Sequence, residues 1–547
     1  MNLFKSGKIE VLPGYVLRIL LITGRTAEPI VRSAVNDIPP QHEVDVSVMP
    51  IEVAALASPK AIINYVKRNV DISRYDLIMV SGAIRGSLRD AERKLGIRIV
   101  KGPKHAAYIP DVIAKCDLKE LSPEIPADEL LRKTVIEVSS RIISQTEREL
   151  TGKPHIKVGE ALVPIRPPPI RVISEIPDAD QIKVERLLRE VKRRIDEGAD
   201  IISLGFGAYP ANPLKVTEAV KAVKDNFEIP VALDSMNPKE IIAGLKAGVD
   251  LVMSLEAGNI RRVSTYVGNT PAVVVPYDSS RRIQPKDIND KLNLLEENIE
   301  TALRLGIETV IADPILGHID VRGGNGLLHS LYAYTILKDK MPNVPKLMGI
   351  CNVVELIDAD SPGINALLTM LAGEAKVSLV LVVEKSVKTY MSTYEVAVAS
   401  RMVTISYRRS IPPKDLGVDL LILKEKKRIS VPLRPSGATV VKAKLEEEGY
   451  EIDRMGVFTI RVNYDEGLIE ALYVGRKGRI LIRGETSTSI CNEILRRGLV
   501  SSISHAMYLG RELSKAEEAL KTGKNYIQDE GLFVKRNRID LSFGGRP

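Results

Sequence analysis

Residues 229–248 read IPVALDSMNPKEIIAGLKAG. A short apolar run stops at a carboxylate, Asp234; Asn237-Pro238 then opens an amphipathic segment that ends at Gly248. PKEIIAGLKAG has the apolar spacing of an amphipathic helix. The stretch is one strand–helix unit. A carboxylate ending an apolar strand costs free energy unless something binds it, so Asp234 is the first candidate site residue.

Outward from this unit the same alternation repeats. From 170 to about 406 the strand candidates are RVISEI, DIISLGF, PVALDS, DLVMSLE, AVVVPY, TVIADP, KLMGIC and VSLVLVVE. Amphipathic segments such as QIKVERLLREVKRRIDEG and NDKLNLLEENIETALRLG separate them, and a last helix is expected near 390–406. Eight strand–helix units in about 240 residues are the pattern of a closed (β/α)8 TIM barrel. Before it, VLRILLITG, EVDVSVMP and YDLIMVSG alternate with helical segments, and a long helix is expected over about 127–150. This reads as a doubly wound α/β domain whose loops ITGRT and MVSGAIRG carry the glycines of a ligand-binding edge. TGKPHIKVGEALVPIRPPPI (151–170) reads as an extended linker because of its proline run. After about 409 come DLLILK, FTIRVNYDEGLIEALYVG and RILIRG as strands, then two helices, an α+β pattern. The expected domains are 1–155, 156–408 and 409–547.

Composition narrows the function classes. The net charge of +8 is spread along mixed-charge helices such as VERLLREVKRRIDEG, a solvated face and not a nucleic-acid footprint. No run approaches eighteen uncharged apolar residues, so no membrane partner is expected. Cys116, Cys351 and Cys491 lie far apart, which argues against disulfides or structural zinc, and no metal is expected. These features and a start without a secretory pattern predict a cytoplasmic protein. The composition leaves homo-oligomerisation open.

Barrel chemistry gathers at the C-terminal strand ends. Strand three ends in Asp234, strand six in Asp313, and strand seven runs into Cys351-Asn352. A carboxylate accepts two parallel N–H bonds from an amidine-like ring edge, and Asn both donates and accepts. A pterin fits that set, while spacing alone leaves a purine or a sugar open. Gly205 and Gly207 would admit a flat ligand. Lys385, Ser386 and Lys388 follow strand eight, where barrels hold phosphate. GGNG (323–326) lacks the residues of a phosphate loop.

The stretches EGADIISLGFGAYP, IPVALDSMNPKEIIAGLKAG, VIADP and LMGICN resemble the pterin-binding barrel family, which includes dihydropteroate synthases and methyltetrahydrofolate-dependent methyltransferases. The three-block chain resembles an archaeal group described as dihydropteroate synthase-related. The resemblance implies a reduced pterin ligand, folate-like or tetrahydromethanopterin-like, held by Asp234, Asp313 and Asn352, with Asn237, Gly205 and Ser254 nearby and Asp313 and Asn352 in catalytic roles. The synthases' Ser-Arg-Lys after strand seven is replaced by Cys351-Asn352-Val353, and LDSMN is closer to the methyltransferase pattern. The family's Asn after strand four falls on Met253 or Ser254. The resemblance therefore implies methyl transfer from a methyl-tetrahydropterin. Synthase-type condensation and pterin binding without catalysis are the alternatives. The sequence lacks a D-x-H-x-x-G corrinoid signature, so a corrinoid acceptor would come on a partner protein.

Overall fold

The computed structural model describes residues 16–533 apart from 39, 208–209, 286, 322–325, 427–436 and 444–451. Most of the GGNG turn, 323–325, lies outside the described residues. Met1–Gly437 and Ala438–Pro547 form two compact units.

The first unit begins with four parallel strands: β1 (Arg18–Gly24), β2 (Glu43–Met49), β3 (Leu77–Val80) and β4 (Arg98–Lys101), in spatial order β2-β1-β3-β4. The order reverses between β1 and β3, and an apolar cluster covers each face, one around Ile19, Leu21 and Met79, the other around Leu20, Ile78 and Ile99. The doubly wound reading holds, with β4 (RIVK) as a strand absent from the sequence reading. Its short, charge-flanked segment showed too little alternation to stand out.

The segment expected to be a linker folds. β5 (His155–Val158) and β6 (Ala161–Pro164) pair antiparallel. Val158 and Val163 are fully buried and join Ile173, Ile201, Ala232, Leu251, Ile311, Leu347 and Leu379, which fill the barrel interior. Two alternating apolar residues on a tight hairpin gain more by flooring an open barrel end than by staying extended in water.

Eight parallel strands then form the barrel: β7 (Arg171–Ile176), β8 (Ile201–Gly205), β9 (Val231–Asp234), β10 (Leu251–Leu255), β11 (Ala272–Val274), β12 (Val310–Ala312), β13 (Leu347–Gly349) and β14 (Leu379–Val383). β14 pairs with β7, and a parallel bridge between Ala312 and Lys346 closes the ring. The central fold is a (β/α)8 barrel, as the alternation requires. Helices Ile260–Val267 and Leu327–Lys340 complete the outer layer and were not read from sequence. Helix Ala127–Leu150 packs against the last barrel helix, Ser392–Arg409, where Glu149 pairs with Arg408 at 2.8 Å; on β7, Arg171 pairs with Glu147 of the same long helix at 2.7 Å.

DLLILK is not a strand. Leu421, Ile422 and Leu423 are about half exposed, and no described strand pairs with them. A strand needs a ladder to satisfy its backbone. The second unit holds the antiparallel sheet β15 (Gly456–Asn463), β16 (Leu468–Gly475) and β17 (Gly478–Gly484), covered by helices Ser487–Arg496 and Ile503–Thr522. This is the expected α+β arrangement. Among the described residues no helix is long and apolar enough to cross a membrane.

Candidate functional site at the barrel mouth

Side chains alternate along a strand, so a residue two positions beyond an interior apolar residue also faces the barrel axis. Ile173, Ala232 and Ile311 belong to the interior cluster. Glu175, Asp234 and Asp313 follow each of them by two, which stacks three carboxyl groups above the apolar fill. Asp234 and Asp313 are the expected residues. Glu175 was missed, although strand one ends in a carboxylate by the same rule.

Asp234 accepts a hydrogen bond from Ser254 Oγ at 2.7 Å and shares another with Glu175. Ser254, near the end of β10, and not the interior Met253, is the residue that meets Asp234. It holds a left-handed backbone conformation (φ +67°), an arrangement that costs a non-glycine residue about 1–3 kcal/mol and is held by its surroundings. Here Asn259 Nδ2 donates to the Ser254 carbonyl at 3.1 Å.

Asp313 follows β12. Its Oδ1 accepts from the Ile315 backbone N–H at 2.8 Å and lies 3.0 Å from the Tyr334 hydroxyl, which is also 3.0 Å from the Leu347 carbonyl. Lys291 donates to the Ile315 carbonyl at 3.2 Å and is the cation that acts on Asp313. Burial outweighs these partners and pushes Asp313 up to about 6. Burial also raises Asp234, and it pushes Glu175 up to about 8, helped by the Asp234 charge.

Asn352 sits in the short helix Cys351–Val354, where its Nδ2 donates to the Leu316 carbonyl at 3.0 Å. That ties strand seven to the Asp313 loop and leaves Oδ1 facing the neighbouring Cys351 thiol at 3.8 Å. Burial, with Glu175 and Asp234 adding to it, pushes that thiol up to about 12. Cys351 is thus a neutral thiol and not a thiolate nucleophile.

The other expected residues are placed differently. Asn237 caps helix Pro238–Ala247, its Oδ1 accepting from Lys239 N–H at 3.0 Å. Gly205 faces Glu175: a Cβ there would lie 2.6 Å from Glu175 Oε1. The strand-eight loop already holds an anion of its own. The Lys385 and Ser386 N–H groups (3.2 and 3.1 Å), Ser386 Oγ (2.7 Å) and Thr389 Oγ1 (2.6 Å) all donate to Glu355. Lys388 bonds the Ile357 carbonyl and Asp358, and Lys385 pairs with Asp178 at 3.8 Å. A phosphate there would have to displace Glu355. Among the described residues, no group of three or more His, Cys, Asp or Glu is placed to hold a metal ion.

Residues 176–365 match the family model described as pterin binding enzyme, and the full chain is 33% identical over 531 residues to the uncharacterized protein MJ0107 of Methanocaldococcus jannaschii, covering 95% of this chain and 99% of that one. The chain belongs to the pterin-binding enzyme family. Its flanks match two further models, a family of unknown function (DUF6513) at 17–104 and PterinBD-DUF4346 at 452–529. The dihydropteroate synthase of Clostridium beijerinckii is 27% identical over 149 residues, 24% of this chain and 55% of its own. A solved dihydropteroate synthase from Thermus thermophilus, in complex with 6HMPPP, is 20% identical over 44% of this chain and 96% of its own, with a TM-score of 0.36. For a member of this family, the carboxyl groups at the mouth give a direct test. Asp313 accepts two parallel N–H bonds only when ionised, so affinity for a pterin is expected to hold steady above about pH 7. It should weaken up to tenfold per unit below about pH 6, as titration calorimetry across pH 5–8 would record.

Proposed function

We propose that the barrel mouth binds a reduced pterin, folate-like or tetrahydromethanopterin-like, and that the protein transfers a methyl group from the pterin N5. The observation that carries this reading is the set of three carboxyl groups, Glu175, Asp234 and Asp313, each raised by burial. Half-buried carboxyl groups at the mouth suit an N–H-rich ring edge, because a charge-assisted bidentate pair returns what desolvation costs. Asp234 and Asp313 hold the edge, Ser254 orients Asp234, and Asn352 offers its amide oxygen to the ring.

Methyl transfer is favoured over condensation by what strand seven carries. Displacing pyrophosphate requires cationic stabilisation of the leaving group, and Cys351-Asn352-Val353 supplies none. A methyl on N5 leaves once N5 is protonated, which needs an acid, and the mouth is rich in protonatable carboxyl groups. The chain carries no corrinoid signature of its own, so a corrinoid acceptor belongs to a partner protein. Two incubations separate the readings. With 5-methyl-tetrahydropterin and a reduced corrinoid or thiol acceptor, demethylated pterin is the expected product. Pyrophosphate release from hydroxymethyl-dihydropterin diphosphate and an arylamine would establish condensation instead.

A further inference from the structure

We propose that Glu175 is the proton reserve of the mouth, a positioning residue that hands its proton to Asp234 for delivery to a nitrogen of the bound ring. The proposal rests on the pterin reading above. Its basis is the path of one side chain. On β7, Glu175 pairs with Ser203 of β8, while Asp234 of β9 pairs with Gly205, two residues further along β8. To reach Asp234, the Glu175 carboxyl has to cross β8 at residue 205. Any side chain there would block it, since a Cβ would lie 2.6 Å from Oε1 and 3.2 Å from the carboxyl carbon. Glycine leaves the passage open, and the two acids meet in a hydrogen bond.

Two carboxylates in contact repel, whereas a carboxylic acid and a carboxylate share one proton. The pair therefore stores a proton in the free protein. Its surroundings keep it there. Asp178 faces Glu175 from the loop after β7, and Cys351 from the helix after β13; Asp313 acts on Asp234 from β12. Against these, among the described residues, stands Lys385 from the loop after β14, itself paired with Asp178. The raised Glu175 is in keeping with this balance. On the other side, among the described residues, Asp234 receives the Ser254 hydroxyl, a donor that steadies the carboxylate without supplying a proton to the ring.

The step balances simply. Glu175 passes the pair's one proton to Asp234, Asp234 passes it on to the ring nitrogen, and both acids are left as carboxylates while the ring becomes a cation. Solvent restores the proton afterwards. A relay of this kind leaves Asp234 in its acceptor form for the next ring.

Binding of 5-methyl-tetrahydrofolate to the full-length protein, followed by ultraviolet difference absorbance between pH 5 and 9, tests the assignment. In the wild type the bound ring should remain protonated to a midpoint at least about one pH unit above that of the free probe. Glu175→Gln keeps the shape and a hydrogen-bond donor but has no proton to give. With the probe at saturating concentration, its midpoint should return to that of the free probe. Gly205→Ala, which leaves Glu175 intact but pushes it off Asp234, should return the midpoint in the same way. If Glu175→Gln loses its melting transition, Gly205→Ala alone decides. A midpoint unchanged from wild type in the folded variants overturns the proposal. Absence of probe binding by the wild type at every pH overturns the pterin reading itself, a separate outcome.

Discussion

Asp234→Ala is expected to weaken binding of a reduced pterin by about 30- to 1000-fold, roughly 2–4 kcal/mol, because it removes one side of a charge-assisted pair and leaves ring N–H groups facing an apolar barrel wall. The same change should leave the melting temperature of the free protein level or raise it, since burial makes this carboxyl a burden on the unligated fold. Affinity and stability moving in opposite directions is what separates a binding group from a structural one. Titration calorimetry paired with thermal melts records both, and a fall in melting temperature with affinity unchanged would place Asp234 in the scaffold.

Glu384→Ala should produce the largest loss of stability. Glu384 lies just past β14, almost wholly enclosed, with Arg193 at 3.0 Å and Arg194 in direct contact. It also accepts from the Met391 and Thr393 N–H groups, both at 3.0 Å, and from Thr393 Oγ1 at 2.8 Å. Burial would raise this carboxyl, yet the two guanidinium groups outweigh it and hold Glu384 below its ordinary value. Deleting the carboxylate strands buried positive charge and uncaps the last barrel helix, a loss of about 3–5 kcal/mol. Urea unfolding of the Met1–Gly437 unit measures it. Replacing Arg194 by Met in the same chain should recover part of the loss, because an apolar neighbour needs no counter-charge.

The barrel was legible because each strand announces itself as an apolar run ending in a polar residue, and Asp234 and Asp313 stand at those ends. Glu175 stands there too. It escaped because nothing in RVISEIPD says that the glutamate leans across a neighbouring strand; that contact exists only once Gly205 lies beside it. Tyr334 and Lys291 reach Asp313 from helices, at separations no linear pattern encodes. Helix Leu327–Lys340 was missed for the opposite reason: its apolar residues surround it and give no stripe to read. The proline run after β6 masks the alternation in HIKVGEALVP, while DLLILK is an unbroken apolar run that finds no strand to pair with. Local pattern forecasts a strand's readiness, and only the assembled sheet supplies its partner.

The hairpin of β5 and β6 has a bearing on how this chain is made. The barrel closes when β14 zips onto β7, as in the pairing of Val380 with Val172, roughly 200 residues apart. On a ribosome the first strand emerges long before its final neighbour, and the half-ring of apolar side chains is open to water and to other nascent chains in the interval. Val158 and Val163 come off the ribosome immediately ahead of β7 and need only each other's strand to pair. The chain order thus supplies the floor residues ahead of every wall strand, so that each strand is made with its floor already synthesised.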